Sequence, residues 1–383
     1  MRALKNFFKG FVILLALLVV FLYVFDYDYM LKAVRTIYLQ GHTTAFLKDY
    51  EEFDNNIIEK GAPQPWPMHL DFNKVSATEN LQKWNDTLGT IAFMIIKNDS
   101  IWFENYYDNY TENSKSNSFS MAKSMISAML GKAITEGKIE SLDQPVGDFF
   151  PEFNNDMSSK MTVGDLSSMS SGLNWDEDYY SPFSITTRAY FYDDLEKMML
   201  NLKVVEEPGQ SFKYLSGNTQ LLGMVIEKAT GQSLSKYLSD QFWKPMGAEN
   251  EAFWQIDSEE GNLEKAYCCI ASNARDFARF GKLYKNHGRW NNQQLLDSTF
   301  IAKSVRPRFS ESPQYGYGWW LHEQDGHDFF MMRGHLGQYV IVEPNDNVII
   351  VRLGHQKTPD AGIGIITRDI KMYIEEAYNM LNQ

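Results

Sequence analysis

The alternation of apolar and polar positions divides the chain into stretches of different character. An unbroken apolar run extends from Phe11 to Phe25. Further on, Ile91 to Ile96 and Ile101 to Glu104 flank Asn98-Asp99-Ser100, which predicts a β-hairpin closed by a polar turn. Met125, Ile126, Met129, Leu130, Ala133 and Ile134 then recur at helical spacing, with Gly137 where a C-terminal cap belongs. Leu221, Leu222, Val225, Ile226 and Ala229 repeat that pattern, and Gly231 ends it. Helices and loops are expected over roughly 110–300. Strand character returns at Tyr317 to Leu321, Phe329 to Met332, Gln338 to Val342 and Val348 to Leu353. Pro344-Asn345-Asp346-Asn347 joins the last two as a turn, and a final helix is expected from Ile365 to Leu381. Strands at both ends with helices between them predict an α/β architecture. One antiparallel sheet is built from both chain ends and flanked by helices, with a mostly helical subdomain inserted. Active sites commonly lie at such a seam.

The apolar run at the start has a directional context. Arg2, Lys5 and Lys9 precede it, and Asp26-Tyr27-Asp28-Tyr29 follows it. Basic residues on one side place the N-terminus in the cytoplasm and the remainder outside. The run alone is short for a span, and Phe7, Phe8 and Gly10 supply the missing length. Bulky residues stand where a small-residue cleavage site would be, so an uncleaved anchor is favoured over a cleaved signal peptide. Residues 1–28 are therefore read as signal anchor or signal peptide. Residues 29–73 are read as a connector, because Gly61-Ala62-Pro63-Gln64-Pro65-Trp66-Pro67 resists regular structure. Residues 74–383 are read as one domain, membrane-anchored at the periplasmic face.

Composition narrows the partners. The 383 residues carry a formal net charge of −13, which argues against nucleic acid, since phosphate binding needs a basic surface. The two cysteines, Cys268 and Cys269, are adjacent, and neighbouring cysteines rarely bridge without strain. They are expected to be small buried side chains. No ligand spacing for zinc is present, so neither metal nor cofactor is expected.

Candidate chemistry begins at Ser120-Met121-Ala122-Lys123. Positions i and i+3 share a helix face, so Lys123 can approach the Ser120 hydroxyl. A serine hydroxyl needs a base, and a buried lysine with a depressed pKa can be one. At a helix N-terminus, free N–H groups and the dipole would favour a developing oxyanion. The pattern alone is weak, because Ser233-Leu234-Ser235-Lys236 has the same spacing near another helix start. The helix after Ser120 is apolar over a broad face, as a central helix would be.

The surrounding residues decide between the two. Phe119-Ser120-Met121-Ala122-Lys123-Ser124, Gly131-Lys132-Ala133-Ile134 and Glu136-Gly137-Lys138-Ile139 resemble the serine beta-lactamase-related family, which includes class C beta-lactamases, penicillin-binding esterases and D-aminopeptidases. Leu142-Asp143-Gln144-Pro145-Val146, Met161-Thr162-Val163 and Met169-Ser170-Ser171-Gly172-Leu173 follow in the family's order. So do Glu207-Pro208-Gly209, Tyr214, Asn218, Arg275-Asp276-Phe277 and Gly334-His335-Leu336-Gly337-Gln338. The resemblance covers about residues 75–365 and implies a beta-lactamase-like fold. Tyr214-Leu215-Ser216 replaces the Tyr-x-Asn of class C, and His335-Leu336-Gly337 replaces Lys-Thr-Gly. Both departures resemble the 6-aminohexanoate-dimer hydrolase-like branch.

The resemblance implies Ser120 as nucleophile, with Lys123 and Tyr214 sharing proton transfer. Ser216 and His335 would hold the network or the substrate, on a third motif carried by a strand. Gly337 and Gln338 would belong to the substrate site, the Gln338 and Ser120 N–H groups forming the oxyanion hole. Which of Lys123 and Tyr214 is the base stays open, since coupled groups titrate as a unit. A lysine in the third motif is a permanent cation suited to a carboxylate, whereas an imidazole, with a reference pKa of about 6.5, is largely neutral at pH 7. The expected substrates are small esters or simple amides, with beta-lactams used poorly. Trp175, Tyr179, Tyr180, Tyr315, Tyr317, Trp319 and Trp320 are candidates for an apolar cleft. The alternatives are a D,D-peptidase or D-aminopeptidase acting on peptidoglycan, and a catalytically silent protein that binds cell-wall fragments.

Overall fold

The computed structural model describes residues 2–359 and 365–383. The expected hairpin forms between Thr90–Lys97 and Ser100–Tyr106, and Asn98 and Asp99 both take positive φ (51° and 60°), as its tight turn requires. The C-terminal strands are Trp320–Gln324, His327–Gly334, Gln338–Glu343 and Val348–Gly354. The first begins three residues later than the pattern predicts, because Gly318 (φ +78°) bends the chain just before it. All pairings are antiparallel, and Val348–Gly354 pairs with Thr90–Lys97, closing a six-stranded sheet from the two chain ends.

The central strands are buried on both faces, so their apolar residues run continuously and divide by parity. Met94, Ile96, Val340, Val342, Ile349 and Val351 face one core; Phe93, Ile95, Tyr339, Ile341 and Ile350 face the other. Helices Glu79–Thr87 and Arg368–Leu381 cover the second face, the latter through Ile370, Tyr373, Ile374 and Ala377. Ala274–Lys285 covers the first, where Gly281 lets it approach Val340, Val342 and Ile349. Beyond it lie the buried helices Ala122–Thr135 and Ser216–Thr230, ending near Gly137 and at Gly231, both with positive φ.

The connector expected over residues 29–73 is instead part of the folded body. Asn55–Ile58 pairs with Ala252–Gln255 in a second sheet, with Ile270–Ser272 and Ser116–Asn117 completing it. Leu47 and Trp66 are buried in the main core. The prolines around Trp66 keep that segment irregular but do not detach it, because Trp66 packs inward and its indole N–H donates to the Arg275 carbonyl at 3.0 Å. Arg2–Val24 is a separate exposed helix of 23 residues.

One loop ties the sheet to the helix that follows Ser120. Ser124 and Ser127 donate their hydroxyls to the carbonyls of Gly318 and Tyr317, each at 2.6 Å. A Cβ at Gly318 would lie 2.4 Å from the Ser127 Cβ, at a φ that L-residues avoid. Gly318→Ala is expected to destabilise the fold by about 2 kcal/mol or more, measured by urea unfolding.

Candidate active site

Ser120 sits in a 3₁₀ turn, Phe119–Met121, that leads directly into Ala122–Thr135. The turn is held in an unusual conformation: Phe119 has φ +45°, costly for an aromatic residue and kept only where surroundings enforce it. They do so through the second sheet. Phe119 N–H donates to Asn117 Oδ1 at 2.8 Å, and the Asn117 side chain donates to the buried Asp49 at 2.9 Å. The Tyr190 hydroxyl donates to the other Asp49 oxygen at 2.6 Å, and the Leu47 carbonyl accepts the Asn117 N–H at 2.8 Å. Residues 47–49 thus set the geometry of the turn bearing Ser120.

Lys123 Nζ lies 3.0 Å from Ser120 Oγ and donates to the Tyr267 carbonyl at 2.8 Å. It also lies over the rings of Tyr214 (5.2 Å) and Tyr267 (5.7 Å). Burial lowers its pKa to about 8, with the Glu177 charge working in the opposite direction. Roughly a tenth of the amine is then neutral at pH 7, against about one part in three thousand for an unperturbed lysine. Tyr214 is buried and hydrogen-bonded to Ser120. Burial, then Glu177, push its hydroxyl above the ordinary phenol range; the Ser120 bond and Arg333 offset this in part. Of these two groups, only the amine is partly deprotonated near pH 7.

Ser216 begins the helix Ser216–Thr230, two residues beyond Tyr214, and its partner is a residue that the sequence did not single out. Glu177 accepts the Ser216 N–H at 2.6 Å, the Ser216 hydroxyl at 2.5 Å and the Tyr179 hydroxyl at 2.5 Å. It is the anion nearest the site in charge effect, acting on Lys123 and Tyr214 alike. Its only trace in the sequence is an acidic cluster, Asp176-Glu177-Asp178, beside the aromatic pair Tyr179-Tyr180.

A cavity of about 290 Å³ opens beside Ser120, lined also by Ser216, His335, Tyr179 and Tyr180. The His335 ring stacks on Tyr179 (5.6 Å) and meets Phe119 edge-on (5.5 Å). The third motif is not on a strand: His335–Gly337 is a tight turn between two strands, with Leu336 at φ +60°. Buried Arg352 fixes this turn by donating to the Leu336 and Gly337 carbonyls at 3.0 and 2.8 Å. Gly337 is needed for that approach, since a Cβ there would lie 2.1 Å from Arg352 Nη1. Neither Gly337 nor Gln338 lines the cavity. The Gln338 amide is spent on the His335 carbonyl and on both polar groups of Gly354, so any part it plays falls to its main chain.

The competing motif separates from the first in three dimensions. Ser233 only caps a short helix, accepting the Lys236 N–H, and Lys236 is exposed and paired with Asp240. Cys268 and Cys269 are buried as expected, yet they are bonded to each other in a vicinal disulfide. A left-handed bend at Cys269 (φ +75°) accompanies the bond, where an extended chain would send neighbouring side chains to opposite sides. Cys268 lines the cavity. Of the expected cleft aromatics, Tyr179 and Tyr180 line it; Tyr315 and Trp320 instead pack on Tyr214, and Tyr317 and Trp319 are buried behind the helix bearing Lys123.

Comparison with known proteins adds to this geometry. The beta-lactamase family model matches residues 78–369. The 6-aminohexanoate-dimer hydrolase of Paenarthrobacter ureafaciens is 24% identical over 294 residues, covering 71% of this chain and 74% of that protein. Among solved structures, a Bacillus anthracis protein described as a 6-aminohexanoate-dimer hydrolase has a TM-score of 0.69 at 22% identity, covering 92% of this chain and 93% of its own. A family VIII carboxylesterase has a TM-score of 0.60 at 18% identity, covering 79% and 98%.

Proposed function

Since the chain belongs to the beta-lactamase family of serine hydrolases, we propose that it cleaves esters or simple amides through an acyl-enzyme on Ser120, at the outer face of a cell membrane. The observation that carries this reading is the convergence of the depressed Lys123 amine, 3.0 Å away, and the buried Tyr214 hydroxyl on Ser120, which itself lines an apolar cavity. Neutral Lys123 takes the Ser120 proton as Oγ bonds to the carbonyl carbon. The proton passes through Tyr214 to the leaving alcohol or amine as its bond breaks. Water then attacks the acyl carbon, gives its proton to the same pair, and Ser120 leaves with a proton restored. The Ser120 N–H, at the N-terminal end of its helix, is the first oxyanion donor, and the main chain of Gln338 is assigned as the second. Ser216, fixed by Glu177, and His335 orient the substrate. The location rests on the exposed helix Arg2–Val24: at about 1.5 Å per residue it reaches about 34 Å, enough for a hydrocarbon core of about 30 Å.

A panel of p-nitrophenyl acetate and butyrate, 6-aminohexanoate dimer and D-alanyl peptides, each run against Ser120→Ala, tests the reading. Ser120-dependent turnover confined to the D-alanyl peptides would replace it with the peptidoglycan one. Nitrocefin is expected to give a kcat/KM about 10²-fold below that of p-nitrophenyl butyrate, the loss of a charge-assisted hydrogen bond to the lactam carboxylate where His335 replaces a lysine. Equal rates would show that another group binds the carboxylate.

A further inference from the structure

Part of the wall of the cavity that Ser120 lines comes from the segment that directly follows the apolar N-terminal helix. Helix Arg2–Val24 gives way to Tyr29–Ala33 and a further turn, Val34–Tyr38. Met30, Ala33, Val34 and Ile37 of these turns line the same cavity as Ser120. The first part of the segment is pinned to the hydrolase body. The Tyr29 hydroxyl donates to the Pro182 carbonyl at 2.8 Å, and Tyr27 meets Phe183 edge-on at 6.0 Å. Asp26 lies 3.8 Å from Arg188, and Lys32 bridges Asp193 and the Asp257 carbonyl at 2.5 and 2.8 Å. The end of the apolar helix and the catalytic cavity are therefore separated by only a few residues in a fixed arrangement.

Two further observations bear on what enters. Among the described residues lining the cavity there is no Asp, Glu, Lys or Arg. Around it, large apolar side chains stand in the open: Val34 is 45% exposed, Leu39 75%, Phe183 70% and Tyr180 79%. Exposed apolar groups gathered at one place mark a surface that meets something apolar. Here the neighbouring apolar helix Arg2–Val24, read as the membrane anchor, identifies it as the bilayer. We infer that the cavity takes the alkyl chain of a membrane-borne ester or amide, which enters from the bilayer side between the juxtamembrane turns and the Tyr179–Phe183 loop. The inference rests on Ser120 as the nucleophile and names the substrate class of that site. The cavity, about 290 Å³, is finite, so the gain with chain length is expected to stop once it is filled.

The experiment uses the full chain in phosphatidylcholine vesicles with p-nitrophenyl esters from acetate to dodecanoate. Ser120-dependent kcat/KM is expected to rise by up to about fourfold per methylene and then to level off within the series. Ala33→Trp, which fills the wall, is expected to lower the decanoate-to-acetate ratio at least tenfold. Val34→Asp, at an exposed position where folding is not at stake, is expected to lower it as well. Dodecanoate ester carried in the enzyme's own vesicles is expected to be cleaved faster than the same ester carried in separate ones. A flat chain-length profile with Ser120-dependent acetate turnover overturns the inference and leaves the hydrolase reading standing. A rising profile that Ala33→Trp and Val34→Asp both leave unchanged also overturns it. Ester turnover that persists in Ser120→Ala overturns both.

Discussion

Ser120→Ala is expected to lower p-nitrophenyl butyrate hydrolysis by about 10⁴-fold or more, the scale seen when a covalent nucleophile is removed, and to abolish labelling by a fluorophosphonate probe. Ser233→Ala is expected to leave both unchanged. The contrast is sharp because the two serines share a spacing and differ in surroundings. Ser120 has a buried, partly neutral amine at 3.0 Å and opens on the cavity. Ser233 has an exposed lysine that turns away to pair with Asp240. Wild-type protein that resists the probe while remaining folded would end the enzymatic reading and favour a silent binding protein.

The same pair shows which parts of the site the sequence could carry. Spacing put Lys123 within reach of Ser120, and it put Lys236 within reach of Ser233 equally well. What separates them is burial, which belongs to the assembled fold. Thr90–Lys97 and Val348–Gly354 were legible as continuous apolar runs because both faces of these strands are buried, and Ala122–Thr135 because its apolar side chains recur at helical spacing. Residues 29–73 were not, because their strand is four residues long and their anchoring depends on partners some 200 residues away, such as Gln255 opposite Asn55. Glu177 was hidden for a related reason. Its function lies in accepting bonds from Ser216 and Tyr179, and an acidic loop residue carries no periodicity. The Tyr267 carbonyl that holds Lys123 is main chain and has no signature at all. The third motif was found by its residue types but misplaced on a strand, since Leu336 at φ +60° is not a residue that advertises a left-handed turn.

Lys123 itself makes the second large prediction. The kcat/KM for p-nitrophenyl butyrate is expected to rise with pH through a midpoint near 8, because the base must be deprotonated and burial lowers its pKa to about that value. Lys123→Met is expected to cost about 10³-fold, within the range for a general base, and to remove the midpoint. Lys123→Arg is expected to be no better, since a guanidinium stays protonated throughout. Glu177→Gln distinguishes this assignment from a merely structural lysine. The Glu177 charge raises the Lys123 pKa against the effect of burial, so its removal stabilises the ammonium less and moves the midpoint below 8. Relative activity at pH 6.5 against pH 9 should therefore increase in Glu177→Gln, even where the loosened Ser216 lowers the maximum rate. The Tyr214 hydroxyl, pushed upward by burial and by the same carboxylate, would give a midpoint well above the ordinary phenol range if it were the base. A profile that is flat from pH 6.5 to 9.5, or a midpoint that moves upward in Glu177→Gln, would transfer the role of base away from Lys123.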